Sequence, residues 1–303
     1  MYAHSFSARH RSRYISRSNG SQEARNMSVQ LYYFPLSSPC RAVLLTVEAI
    51  GLEMELIEVN LMAGEHLTPE YEELNPQKTV PFMVDDDLKL SESRAIMAYL
   101  VDQYGENDSL YPQNTEARAL VNQRLYFDLG TLSTSITGYY MPVFKKLTDT
   151  YDPTVFERMT DAFRILDTIL EGHDYAAGPN LTIADLALVA SVTTAEAFGF
   201  EMEEYNNVTD WLERIKTTVP GYQKANGDTI EMYKQIVEES RANEEEGKEE
   251  EEEEKEEEEE GEKGEEEEEK EEEEEGEKEE EEEKEEEEEG EKEEEEAEKE
   301  EEE

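Results

Sequence analysis

The residues of this chain whose types could do chemistry stand in a few short groups. Ser37-Ser38-Pro39-Cys40 lies where a strand-like run gives way to a helical pattern. A serine there can cap the helix amides, and a thiol in the first helical turn can have its thiolate favoured by the positive helix end. Val80-Pro81 opens a second strand-like run with a proline, which removes a ladder donor. A cis Val80–Pro81 bond in a turn would resolve that conflict and mark a special backbone site. Glu92-Ser93-Arg94 reads by itself as the charged first turn of a helix. Cys40 is the only cysteine, which excludes an intramolecular disulfide framework and any zinc site built on cysteine pairs. His4, His10, His66 and His173 show no metal-motif spacing, so no metal is expected.

The elements that must hold these groups follow from periodicity and punctuation. Val29–Phe34 reads as a strand and Pro39–Ile50 as a helix ended by Gly51. Glu55–Val59 alternates like a strand, Pro69–Leu74 fits a short helix, and Val80–Val84 and Leu88–Ser91 read as strands about an Asp85-Asp86-Asp87 turn. Ala95–Tyr104 reads as an amphipathic helix, giving the order βαβ, short α, ββα. Residues 105–114 look like a linker. From Thr115 to Glu239 the period is helical, with breaks expected at Pro142, Asp152-Pro153, Gly172–Asn180 and Pro220-Gly221. Thr182-Ile183-Ala184-Asp185 has the form of a capping box, with Leu181 and Leu186 at the staple positions. The helix beyond it, Leu186 to Ala197, is apolar nearly all round and is expected at the centre of a bundle.

The chain of 303 residues carries 82 acidic and 28 basic side chains, a formal charge of −54. The excess is concentrated: residues 244–303 hold 46 Glu and 8 Lys, a net of −38, and the remainder is a moderate −16. The lysine-and-glutamate unit repeats from Lys255, Lys270 and Lys284 and offers nothing apolar to bury, so 243–303 is read as a disordered polyanion. Its alternative role is a tether for a basic protein partner or a weak divalent-cation sponge. Residues 1–27 are read as a disordered extension, with Met27 fitting an alternative translation start. Five arginines, six serines and a single acid in residues 1–26 also fit a mitochondrial transit peptide. Such a charge argues against nucleic-acid binding, and no apolar run is long enough to suggest a membrane span.

Five segments together resemble one family. Leu-Tyr-Tyr-Phe-Pro-Leu-Ser-Ser-Pro-Cys-Arg (31–41), Ala-Gly-Glu-His-Leu (63–67), Asn-Pro-Gln-Lys-Thr-Val-Pro (75–81), Glu-Ser-Arg-Ala-Ile (92–96) and Gln-Arg-Leu-Tyr-Phe-Asp-Leu-Gly-Thr-Leu (123–132) are similar to cytosolic glutathione transferases of the insect delta class, related to epsilon. The resemblance spans about Val29 to Tyr233. It implies an α+β chain: a thioredoxin-like glutathione-binding domain over 28–105, an all-helical substrate-binding domain over 115–242, and a cytoplasmic homodimer. It also implies that Ser37 is catalytic, its hydroxyl donating to the sulfur of glutathione, the co-substrate, so that the thiolate attacks small hydrophobic electrophiles in detoxification. Cys40 would be structural, though a thiol-based reductase remains open. By the same resemblance Val80 offers its backbone to the cysteinyl part, with Pro81 setting the geometry. Glu92 and Ser93 hold the γ-glutamyl end, and Arg94 pairs with that end and with Asp128. His66 and Lys78 face the glycyl end, and Ser133, Tyr139, Tyr140, Met141 and Phe144 line the electrophile pocket.

The sequence departs from the family pattern at several of these positions. Lys78 replaces the usual His, Leu36 replaces the glycine before the catalytic serine, and Ser133 and Met141 replace tyrosines. These changes favour the alternative reading, a non-enzymatic ligand carrier or scaffold whose acidic tail binds basic partners.

Overall fold

The computed structural model describes residues 29–242; the expectations for the N-terminal extension and the Glu-rich segment lie outside them. Four short strands, β1 (Gln30–Tyr33), β2 (Glu55–Glu58), β3 (Phe82–Asp85) and β4 (Leu88–Leu90), make one sheet in the order β2-β1-β3-β4. β1 runs parallel to β2, pairing Gln30 with Glu55, and antiparallel to β3, pairing Tyr32 with Phe82. β3 and β4 form a hairpin that pairs Met83 with Leu90.

The β1–β2 crossover is α1 (Ser38–Ile50), with Pro39 in its first turn and Gly51 after its end. Gly51 has φ +66°, the left-handed conformation a C-terminal stop requires, and its N–H closes onto Glu48 and Val47 carbonyls. Buried residues fall on every side of α1 (Cys40, Ala42, Val43, Leu45 and Val47 among them), because it packs against both α3 (Ser93–Tyr104) and α7 (Ile183–Ala197). The short α2 (Pro69–Leu74) completes the sheet-bearing half, capped by Thr68 Oγ1, which accepts from the Tyr71 amide. A sheet with this βαβ, α, ββα order is the thioredoxin-like arrangement that the resemblance implies.

The other half is helical: α4 (Thr115–Phe127), α5 (Ser133–Phe144), α6 (Pro153–Leu170), α7 and α8 (Asn206–Thr218). A π-helical turn over Asp128–Leu132 joins α4 to α5, and a second, Gln223–Gly227, leads to a helical stretch over residues 228–242. In α7 every residue but Glu196 is buried, as its sequence demands. Its capping box forms: the Asp185 carboxylate accepts from the Thr182 N–H at 3.0 Å, and Thr182 Oγ1 accepts from the Ala184 amide at 3.3 Å. Asp185 also accepts from the Ala176 amide (2.8 Å) and Trp211 Nε1 (3.1 Å), so a buried carboxylate ties α7 to the preceding loop and to α8. None of the described helices is long and apolar enough to cross a membrane.

One expectation needs correction. Pro142 does not break the helix; α5 continues through it to Phe144. A proline in the last turn removes only one i→i−4 bond, near an end where bonding is about to stop. The 105–114 segment has no regular helix or strand, yet it is pinned. Arg118 stacks its guanidinium 3.9 Å from the Tyr111 ring centroid and donates to the Pro112 and Tyr111 carbonyls and to Asp102.

Candidate active site

Sheet topology brings the singled-out residues to one edge. Because Tyr32 pairs with Phe82, the end of β1 that leads to Ser37 lies beside the start of β3, where Val80-Pro81 stands. β2 is parallel to β1, so it ends at the same edge and leads to the 3₁₀ turn Glu65–Leu67 that carries His66. β4 is antiparallel to β3 and also ends there, leading to Glu92-Ser93-Arg94 and α3.

Ser37 occupies the N-cap position of α1 with φ −74° and ψ 114°, yet its side chain makes no capping bond. Its hydroxyl is therefore not consumed by the bland role serine has at helix starts. Beside it, the sulfur of Cys40 accepts from the Phe34 amide at 3.5 Å. Cys40 is fully buried, and burial pushes its thiol up to about 11 against the lowering influence of the Ser37 side chain, the Phe34 amide and the Arg41 charge. At neutral pH that thiol is protonated and out of reach, so it is poorly suited to the reductase role.

The Val80–Pro81 bond is cis, as the proline at a strand start suggested. The segment before it is held by Asn75, a buried residue that sequence reading treated only as a helix breaker. Asn75 Nδ2 donates to the Thr79 carbonyl (2.9 Å), as does the Tyr71 hydroxyl (2.8 Å). Asn75 Oδ1 accepts from the Gln77 amide (3.1 Å) and the Ser91 hydroxyl (3.1 Å), which ties this loop to the residue before Glu92. Only its place in the 75–81 motif could have singled it out.

Glu92 is the N-cap of α3 at φ +69° and ψ 105°, a sparsely populated backbone conformation for a residue with a Cβ, and its side chain makes no capping bond. Buried Ser93 accepts from Arg94 Nη1 at 2.7 Å, and Arg94 Nη2 pairs with the fully buried Asp128, as expected. That pair spans α3 and the π turn between α4 and α5. Arg94 Nε and Asp128 Oδ1 are buried without a partner among the described residues, and so is His66 Nδ1. Unpaired donors and acceptors of this kind cost free energy until a ligand supplies partners. Lys78, at φ +54°, is engaged: its ammonium lies 2.9 Å from the Glu72 carboxylate.

The residues expected to line the pocket divide into two groups. Tyr140 is buried, with its ring stacked on Phe198 at 4.5 Å and 10°. Phe144 packs edge-on against Phe198 and Tyr233, two aromatics that lie outside the motif and gave no sequence signal of their own. Tyr139 packs edge-on against Tyr140 (4.8 Å) and against Tyr151 (4.8 Å) and Phe156 (5.2 Å). Ser133 and Met141 are half-buried. Leu36 is also half-buried and packs on the core.

Comparison with known proteins agrees with this geometry. Residues 31–108 match the family described as glutathione S-transferase, N-terminal domain, and residues 136–217 match glutathione S-transferase, C-terminal domain. A delta-class glutathione transferase of Nilaparvata lugens is 44% identical, covers 69% of this chain and 98% of its own, and superposes with a TM-score of 0.67. An epsilon-class enzyme of Musca domestica is 37% identical over 70% of this chain and 97% of its own, at a TM-score of 0.66. A glutathione transferase homologue of Drosophila mojavensis, solved with bound glutathione, is 32% identical over 70% of this chain and 97% of its own, at 0.65. By the fold, the two matched segments and these identities, the chain belongs to the glutathione S-transferase family, is of the insect delta and epsilon type, and is a transferase.

Proposed function

We propose that this transferase conjugates glutathione to small hydrophobic electrophiles, with Ser37 as the catalytic group that favours the thiolate. The observation that carries this reading is the Ser37 side chain at the N-terminus of α1, unused for capping, next to a Cys40 thiol that burial keeps protonated. The hydroxyl donates to the sulfur of glutathione while the positive end of α1 favours the anion. The thiol proton leaves to solvent, the sulfur forms a bond to the electrophilic carbon, and the leaving group departs with its electron pair. Lowering a thiol pKa by about two units needs roughly 2.7 kcal/mol, and the gain in thiolate is partly offset by lower nucleophilicity, so positioning contributes as well.

Glutathione as co-substrate accounts for the unpaired groups. Its γ-glutamyl carboxylate meets the free amides of α3 at Glu92 and Ser93 and the Arg94 Nε, while its ammonium meets Asp128 Oδ1. The Val80 backbone beside Pro81 serves the cysteinyl part. His66 and Lys78 serve the glycyl carboxylate, at an affinity lowered by the competing Glu72. Ser133, Tyr139, Met141 and Phe144, backed by Tyr140, receive the electrophile. A cytoplasmic homodimer is the assembly this reading carries, and a basic protein is the partner class for the acidic tail.

The test is conjugation of glutathione to a generic aryl halide by wild type, Ser37→Ala and Cys40→Ala. Loss of activity in the serine variant alone supports the reading. Equal activity in Ser37→Ala and wild type overturns it.

A further inference from the structure

Arg41 is fully buried, and no carboxylate among the described residues bonds to it. Its Nε donates to Asn226 Oδ1 (2.8 Å), its Nη1 to the Leu36 carbonyl (2.9 Å), and its Nη2 to the Ala190 carbonyl (2.8 Å) and Thr194 Oγ1 (2.5 Å). The titratable groups that act on it are Cys40, Tyr222 and Tyr233, and burial draws its pKa down to about 10. Burying a guanidinium among neutral dipoles is costly, so the arrangement asks for a reason beyond packing.

The Leu36 carbonyl supplies one. It belongs to the peptide group that immediately precedes Ser37, and the N–H of that same group donates to the Phe34 carbonyl at 3.1 Å. Both polar ends of that planar unit are thus held, and the next plane is held as well because the Ser37 carbonyl accepts from the Arg41 amide at 3.0 Å, so together the two planes set the direction of the Ser37 Cα–Cβ bond. The other end of the strut is anchored in the helical half, on α7 and on the π turn that holds Asn226. Asn226 is braced in turn, its Nδ2 donating to Thr193 Oγ1 (3.2 Å) and to the Tyr222 hydroxyl (3.1 Å).

We propose that Arg41 is a positioning residue for the transfer reaction: anchored to the helical half, it clamps the Leu36–Ser37 peptide plane and so aims the Ser37 hydroxyl at the glutathione sulfur. This rests on Ser37 being the thiolate-favouring group. Leu36, whose side chain packs on the core where the family has glycine, leaves that clamp intact because only its carbonyl is used.

The experiment measures conjugation of an aryl halide by the full chain across pH 5.5–9, glutathione affinity by calorimetry, and melting temperature, for Ser37→Ala, Arg41→Lys and the double variant. The acid limb of kcat/KM in Arg41→Lys is expected to move up by about one pH unit, a roughly tenfold loss below it. Glutathione affinity should change far less. In the double variant the arginine change should add nothing to Ser37→Ala, because its effect passes through that hydroxyl. A folded Arg41→Lys with an unmoved limb overturns the proposal, as does full additivity in the double variant. If Arg41→Lys does not fold, Asn226→Ala and Thr194→Val each remove one of the bonds that Arg41 makes and keep the guanidinium. Both should move the limb in the same direction by a smaller amount, and an unmoved limb in both overturns the proposal. An unmoved limb in Ser37→Ala overturns the parent reading as well, so the two failures are distinguishable.

Discussion

Replacing Asp185 with alanine removes the acceptor shared by four donors: the Ala176 amide, the Thr182 amide and hydroxyl, and the Trp211 indole N–H. Ala176, Thr182 and Trp211 are all buried, so the three N–H groups are left without water or partner. Each such orphan costs about 1–3 kcal/mol, and partial relaxation brings the expected total to about 4 kcal/mol. That is a large share of the about 5–15 kcal/mol by which domains are stable. Asp185→Asn keeps shape and one acceptor oxygen but turns an NH₂ toward two of the donors, so about half the loss is expected. Urea unfolding at one fixed protomer concentration, followed by circular dichroism, measures both, and an unchanged m-value shows that stability alone has moved. Below its melting temperature Asp185→Asn should keep the kcat of the wild type, since the residue lies in the α7 start and not at the sheet edge. A loss under about 1 kcal/mol in both variants would refute the reasoning.

Three further outcomes are expected. Glu72→Gln frees Lys78 from a partly exposed pair worth at most about 1 kcal/mol, so the KM for glutathione should fall about twofold to fivefold, read by steady-state kinetics at low salt. Cys40→Ala should leave kcat within about threefold of wild type, and the native thiol should resist alkylation until the protein is unfolded, because it is buried and its pKa stands at about 11. Ending the chain after Asn243 should leave melting temperature and kcat unchanged; a large fall in kcat would give the Glu-rich segment a part in the reaction.

Local signals carried much of the architecture. The capping box at Thr182 and the unbroken apolar run after it identified the central helix, because both are short-range patterns that tertiary context did not override. The proline at a strand start pointed to the cis bond at Pro81 by the donor it lacks. What escaped depends on residues far apart in sequence. Arg41 meets partners 149, 153 and 185 positions away, and nothing near it in the chain forecasts them. The π turns at 128–132 and 223–227 insert a residue into otherwise regular helical periodicity, which a periodic reading absorbs without notice. Lys78 stands in the motif as a ligand-facing cation, but Glu72, three residues past the start of α2, comes within 2.9 Å of its ammonium. Phe198 and Tyr233, which pack on Tyr140 and Phe144 of α5, come from segments whose spacing says nothing about α5.

The central claim is that Ser37 lowers the pKa of bound glutathione. Titrating the thiolate absorbance of the enzyme–glutathione complex against pH, in wild type and in a folded Ser37→Ala, tests it most directly. The account predicts a bound thiol titrating about two units below the free one in wild type and returning toward the free value, near 8.5 for an ordinary thiol, in the variant. The same depressed titration in both proteins would contradict it.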